Sequence, residues 1–336
     1  QANMVRAHWK IFAREPTPHA TPEDLDRFIR NAWNHQLFSV VSLWDAGGDR
    51  TPDNQWHDVI VRYWTSPEVV AVIRKHEPHL IVNIANEWDR DDMPDLEFRR
   101  RVVEAVREMR AAGIRTPIMV DADGYGRNGE DLVENAPFIL DQDPDENLIF
   151  SWHFYDRRMD REDLANLFDD AVDAGICFVV GEFSRTAPVG EPKLAWEAVL
   201  EETARRDIGW LAWDWGSKDP HRVAKFSITT DNQYGHWANP PWGKAMLTWD
   251  EINSNTDQDI EADPNERWEG ILNAASKHGD FPQIGGPPSS MFNKRVEVAV
   301  DPGSPLHLRY SPTDHRFHLA GAQYGYLDID YNFDGN

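Results

Sequence analysis

Apolar strand-like runs alternate with amphipathic helical segments over most of this chain, and that alternation is the strongest constraint on its fold. The runs are "MVRAHWKIF" (4–12), "LFSVVSLW" (37–44), "LIVNIAN" (80–86), "TPIMVDA" (116–122), "NLIFSWHFY" (147–155), "ICFVVGEF" (176–183) and "GWLAWDW" (209–215). Spaced mostly by roughly 30 to 40 residues that hold a helix, such runs build a parallel sheet whose crossovers pack as helices on its outside. The helices mark their own ends. Thr21 is placed to cap a helix with Pro22 in its first turn, and Leu25, Phe28, Ile29, Ala32 and Trp33 follow at helical spacing. In "DREDLANLFDDAVDAG" (160–175) the expected inward face is Leu164, Leu167, Phe168, Ala171 and Val172, with Gly175 as the stop.

A (β/α)8 TIM barrel needs eight strands, and seven are visible. The expected fold is therefore an α/β barrel of that type, with its first strand missing or upstream of Gln1, because chemically suggestive residues end several different strands. The alternation stops near residue 255. The expected division is a (β/α)8 domain over 1–255, a linker with a helix over 256–290, and a partial β module or tail over 291–336. The chain opens on a strand without a leader and reads as a fragment.

Composition removes several classes of partner. With 34 basic against 58 acidic side chains, the formal net charge is −24, so neither nucleic acid nor an anionic membrane surface is an expected partner. No apolar run has the length of a membrane span. The single cysteine, Cys177, rules out an internal disulfide framework and sits in an apolar run, where an inert core thiol is expected. At the other end, Asp330, Asn332, Asp334 and Gly335 of "DYNFDGN" match the opening of a calcium loop, although an acidic turn explains them as well.

"GYGRNG" (124–129) has the G-x-G-x-x-G form of a dinucleotide fingerprint after a strand and before a helix. Asp121 and Asp123 immediately precede it, and two carboxylates would repel a pyrophosphate arriving there. No Walker A loop, G-x-S-x-G elbow or H-E-x-x-H motif occurs in the chain.

Two glutamates carry the chemistry. Glu87 follows "LIVNIAN" and Glu182 lies near the end of "ICFVVGEF", and burying either carboxylate without a purpose is costly. Two carboxylates about 5 Å apart can split a glycosidic bond with retention, one protonating the leaving oxygen while the other attacks the anomeric carbon. Structural carboxylates paired with Arg or Lys are the bland alternative for each alone. The neighbouring strand ends favour the pair. "SWHFY" brings His153 and Tyr155 to one end and "LAWDW" brings Trp213 and Trp215 to another, each pair two residues apart and so on one face. Aromatic planes at such positions suit the C–H faces of sugar rings.

In order and spacing, "ANMVR", "IVNIANEW", "IMVDADGYGRN", "FSWHFYD", "VVGEFS" and "GWLAWDW" resemble glycoside hydrolase family 5, and within it the bacterial endo-β-1,4-mannanases, from about residue 2 to residue 250. The resemblance implies that Glu87 is the acid/base and Glu182 the nucleophile. It further implies that Asn86 holds the sugar 2-hydroxyl, that Tyr155 and Arg6 keep Glu182 ionised, that His153 borders Glu87, and that Trp213, or else Trp215, is the platform under the reacting sugar. Where the family ends a strand with a His-Asp pair, this chain has Trp44 and Asp45, and His8 is a further departure.

The function expected on this basis is endo-acting cleavage of β-1,4 links in a neutral mannan or glucomannan. A β-1,4-glucanase acting on cellulose and a noncatalytic carbohydrate-binding relative are the alternatives. No cofactor or metal is expected, because carboxylates suffice for this chemistry. A secreted monomer is the expected form, since polymeric substrates stay outside cells.

Overall fold

The computed structural model describes residues 3–11, 20–44, 56–88, 93–156, 158–187, 193–217, 220–232, 236–238 and 242, together with three strands in the tail, 307–311, 316–320 and 325–329. Seven strands run through the first part of the chain: β1 Met4–Trp9, β2 Phe38–Leu43, β3 Leu80–Asn83, β4 Ile118–Asp121, β5 Leu148–Phe154, β6 Phe178–Phe183 and β7 Gly209–Ala212. Each pairs parallel to the next, and every residue of β2 to β7 is buried. That is why these strands read as nearly continuous apolar runs: helices cover the outside and side chains fill the lumen.

The tail adds β8 His307–Ser311, β9 Arg316–Ala320 and β10 Gly325–Ile329. Strands β8 and β9 form an antiparallel pair. Strand β10 lies parallel between β1 and β7 and closes the barrel, so the eighth position is filled from the C-terminal side rather than from upstream of Gln1. Seven strands leave unpaired N–H and C=O groups along β1 and β7, and a parallel segment in the gap satisfies both edges. The residues of the expected linker and of the calcium-loop-like "DYNFDGN" lie outside the described residues.

The helices follow their sequence signals. Thr21 and Asp24 form a capping box at the start of Pro22–Asn34, which buries Leu25, Phe28, Ile29, Ala32 and Trp33. Asp160 and Asp163 do the same for Arg161–Asp173, and Gly175 ends that turn at φ +67°. Its buried stripe is Leu164, Leu167, Phe168 and Ala171. Val172 does not join it and is 52% exposed, because a residue eight positions after Leu164 has drifted to the solvent edge of the stripe.

Outside the barrel's polar centre, a buried ion pair ties a helix to the loop that leads into β5. Arg110 near the end of helix Asp95–Ala111 donates to both oxygens of Asp143 at 2.9 Å and also to the carbonyls of Ile114, Thr116 and Asn147. Burial pushes the Asp143 carboxyl up, but the Arg110 guanidinium outweighs it and holds the group below its ordinary 3.8. The contribution of this pair to stability is therefore complete above that pH and lost as pH falls through the lowered pKa. Arg110→Ala strands a buried carboxylate and three carbonyls, and urea unfolding of the variant is expected to show a loss of about 3–5 kcal/mol. A loss under about 1 kcal/mol would mean the pair is as weak as an exposed one.

Candidate active site

At the C-terminal mouth of the barrel the polar side chains converge on one guanidinium. Arg6 on β1 is fully buried. Its Nη1 donates to Glu182 Oε1 at 3.0 Å and to the Gly181 carbonyl at 3.1 Å. Its Nη2 donates to Asn86 Oδ1 and Asp121 Oδ2, both at 3.0 Å, and more weakly to Ser42 Oγ and Asn83 Oδ1. Two carboxylates thus face one cation that has no access to water, which is the condition under which a buried charge is tolerated.

Glu182 is reached from its other side by the Tyr155 hydroxyl, which donates to Oε2 at 2.9 Å, and His8 Nε2 lies 3.5 Å from Oε1. A bulge sets its position. Trp152 on β5 is in register with Val180 and His153 with Glu182, so Gly181 is an extra residue. A Cβ at Gly181 would fall 1.9 Å from Ser151 Oγ and 3.1 Å from Ser151 Cβ, so any larger residue would have to displace the Ser151 side chain.

Glu87 lies beyond β3 rather than on it. The strand ends at Asn83, and Glu87 occupies a turn at φ +44°. The turn is pinned by the Glu87 N–H donating to Asp121 Oδ2 at 3.2 Å, while Glu87 Oε1 accepts from His153 Nδ1 at 2.8 Å. Arg6 Nη1 lies 3.1 Å from His153 Nε2. A guanidinium has only donors, so Nε2 accepts and the imidazole proton sits on Nδ1, facing Glu87. One oxygen of Glu87 and one of Glu182 lie within 4.8 Å of each other, and His153 Nδ1 is 2.8 Å from the Glu87 carboxylate and 3.7 Å from that of Glu182.

Different surroundings drive the two carboxyls apart. Burial pushes Glu87 above its ordinary 4.5; the His153 hydrogen bond opposes this, and the charges of Glu182 and Asp121 add to the rise. For Glu182 burial also pushes up, but the charge His153 brings when protonated, His8 at 3.5 Å and the Arg6 guanidinium reverse the direction and hold it well below the carboxylate range. One group is poised to carry a proton and the other to stay charged.

Glu87, His153 and Glu182 could in principle share a metal ion. Both Glu182 oxygens, however, already accept from Arg6 and Tyr155, and an added cation would sit against the guanidinium. The cluster suits proton and nucleophile chemistry better than metal binding.

Three aromatic rings cluster beside the carboxylates. His8 stacks on both Trp44 and Trp213, with ring centroids 4.3 and 4.6 Å away, the two indoles stand tilted to each other at 6.5 Å, and Lys10 Nζ sits 4.5 Å from the Trp44 ring centroid. Trp215 stands apart from this cluster, its indole N–H donating to the Asn232 carbonyl at 3.1 Å. Asp45 lies outside the described residues. Sequence reasoning did not foresee the roles of Asp121, Asn83, Ser42 and Gly181 in the Arg6 network. The clue for Asp121 was available, since an aspartate ending an apolar strand calls for a partner as much as Glu87 does.

"GYGRNG" proves to be packing. A Cβ on Gly124 would meet Asn128, one on Gly126 would meet His153 Nδ1 at 2.7 Å and Glu87 Cγ at 3.3 Å, and one on Gly129 would meet Leu167 and Trp152. Its glycines let the backbone approach protein side chains, not a pyrophosphate. Cys177 is buried and its thiol is pushed up to about 12 by burial, which leaves it inert.

Fold and site together define a (β/α)8 barrel with two inward carboxylates, one following β3 and one on β6. The family model for cellulase (glycosyl hydrolase family 5) matches residues 34–219, more than half of the 336 residues, and the chain belongs to that family. It is 27% identical over 199 residues to the mannan endo-1,4-beta-mannosidase of Salipaludibacillus agaradhaerens, covering 57% of this chain and 62% of that protein. It is 30% identical over 218 residues to the mannan endo-1,4-beta-mannosidase of Streptomyces lividans, covering 64% and 55%. The chain thus spans less than two thirds of the length of these curated relatives. Among solved structures, the beta-mannanase from Streptomyces thermolilacinus superposes with a TM-score of 0.62 at 26% identity, covering 73% of this chain and 79% of that one.

The charge of Glu182 is one cause of the raised pKa of Glu87. Glu182→Gln removes that charge, so the Glu87 carboxyl is expected to titrate at lower pH in the variant, as read by carboxyl ¹³C NMR. An unchanged Glu87 titration would mean burial alone sets it.

Proposed function

We propose that this chain cleaves internal β-1,4 links of mannan-type polysaccharides with retention of configuration, by double displacement. The observation that carries this reading is the pair Glu87 and Glu182, with oxygens within 4.8 Å and pKa values displaced in opposite directions. Retaining sites hold their carboxyls about 5–5.5 Å apart, whereas inverting sites need about 6.5–9.5 Å to admit water. Membership of glycosyl hydrolase family 5 supports the reading, as do relatives named mannan endo-1,4-beta-mannosidase and a similar beta-mannanase solved with mannohexaose.

In the first step an oxygen of Glu182 attacks the anomeric carbon. The bond to the leaving oxygen breaks and that oxygen takes the proton from Glu87, leaving a glycosyl ester on Glu182. In the second step Glu87 removes a proton from water, whose oxygen attacks the same carbon. The ester bond breaks, and both glutamates return to their starting states. Arg6 and Tyr155 keep Glu182 ionised between turnovers. The oxygen of Asn86 is committed to Arg6, which turns its Nδ2 donor to the sugar 2-hydroxyl. Trp213 forms the platform beneath the reacting sugar, while Trp44 and Trp215 contact sugars further along the cleft. No cofactor enters this scheme. Among the described residues no helix is long and apolar enough to cross a membrane, and a polymeric substrate places the enzyme's work outside the cell.

The test is reducing-sugar release from galactomannan, glucomannan and carboxymethyl-cellulose. Mannan cleavage is expected, with Glu87→Ala reduced roughly 10²–10⁴-fold and Glu182→Ala reduced at least as far. The wild-type rate is expected to fall on the alkaline side as Glu87 loses its proton and on the acid side only when Glu182 gains one. Cleavage of cellulose alone would make the chain a glucanase with the same mechanism. Binding without cleavage by the folded protein would make it a noncatalytic relative.

A further inference from the structure

We propose that Asp95, Asp123 and Asp131 form a calcium site beside the cleft that fastens the turn walling Glu87. Asp95 opens helix Asp95–Ala111, Asp131 lies in the first turn of helix Gly129–Asp141, and Asp123 follows β4 by two residues. One carboxylate oxygen from each lies within 4.8 Å of the other two. Three acidic groups so placed would be unremarkable on an open surface. Asp123, however, is only 5% exposed, and its Oδ1 is buried without a hydrogen-bond partner, while the Asn128 side chain bonds the carboxyl. A buried carboxylate oxygen with no donor is costly unless something positive meets it.

The donor set selects the ion. Three carboxylates and no nitrogen or sulfur make a hard oxygen site, and a loose arrangement completed by water suits Ca²⁺, which tolerates six to eight ligands, better than the strict octahedron of Mg²⁺. The placement gives the ion a structural task. Asp121, two residues before Asp123, accepts from Arg6 and from the Glu87 N–H, and the Gly126 backbone packs against His153 and Glu87. An ion at Asp123 joins this turn to the starts of two helices.

The experiment is calorimetric titration of the EDTA-treated full chain with CaCl₂, paired with thermal melting. Wild type is expected to bind Ca²⁺ with Kd on the order of 10⁻⁴–10⁻³ M, and to melt roughly 2 °C higher at ten times Kd. Asp95→Asn with Asp131→Asn is expected to weaken binding at least roughly ten-fold and to abolish the shift. Should the double variant fail to fold, Asp95→Asn alone, at an exposed position, is expected to weaken binding and reduce the shift. Asp330→Asn with Asp334→Asn in "DYNFDGN" is expected to leave both unchanged. The proposal is overturned if wild type shows no shift at roughly 10 mM Ca²⁺, if the shift survives intact in the Asp95 and Asp131 variants, or if it disappears with the Asp330 and Asp334 substitutions.

Discussion

The buried guanidinium of Arg6 is the interaction on which the mouth of this barrel depends. It cannot lose its charge, and it sits where water does not reach, so the surrounding strands must supply acceptors. They do so from four strands: Ser42 on β2, Asn83 and Asn86 on and after β3, Asp121 on β4, and Gly181 and Glu182 on β6. Each bond fixes the height and rotation of one strand end relative to β1. A residue that a sequence comparison would label a nucleophile's helper is therefore also the clamp that brings the two glutamates together.

The same centre explains local geometry that would otherwise be unfavourable. The bulge at Gly181 interrupts the ladder between β5 and β6, yet it delivers a carbonyl to Arg6 and the Glu182 carboxylate into the lumen. Glu87 adopts a positive φ that costs energy for any residue with a side chain. Asp121 compensates by accepting the Glu87 N–H, and His153 by meeting its carboxylate. Strain is concentrated where two carboxyls have to be held close, and the rigid strands around it bear the cost.

Features set by local pattern were legible in the sequence, whereas those set by pairing across strands were not. Seven parallel strands and the capped helices at Thr21 and Asp160 follow from periodicity and end signals, which act within a few residues. The two glutamates were legible because a carboxylate after an apolar run is conspicuous. The displacement of Glu87 into a turn, the extra residue at Gly181 and the use of Asp121 by Arg6 were not, because each depends on a partner tens of residues away or more. Val172 illustrates the narrower failure: eight positions after Leu164, it lies at the edge of the helix stripe and is exposed. The strand Gly325–Ile329 fills a gap that periodicity could count but could not assign.

Placing Glu182 so close to Glu87 also bears on how one carboxyl could serve, in the proposed mechanism, as acid and then as base. While Glu182 is ionised, its charge adds to the burial that raises the pKa of Glu87 and so favours the protonated form. In the proposed first step Glu182 becomes an uncharged ester, and that contribution vanishes just as Glu87 gives its proton away. His153, held by Arg6 with its proton toward Glu87, continues to stabilise the carboxylate form. Glu87 is then a carboxylate in surroundings that have stopped favouring the acid, able to take a proton from the incoming water. Release of the sugar restores the charge on Glu182 and with it the protonated state of Glu87. The proposed alternation needs no conformational switch, only two carboxyls with an oxygen of each within 4.8 Å of the other and an unequal share of donors between them.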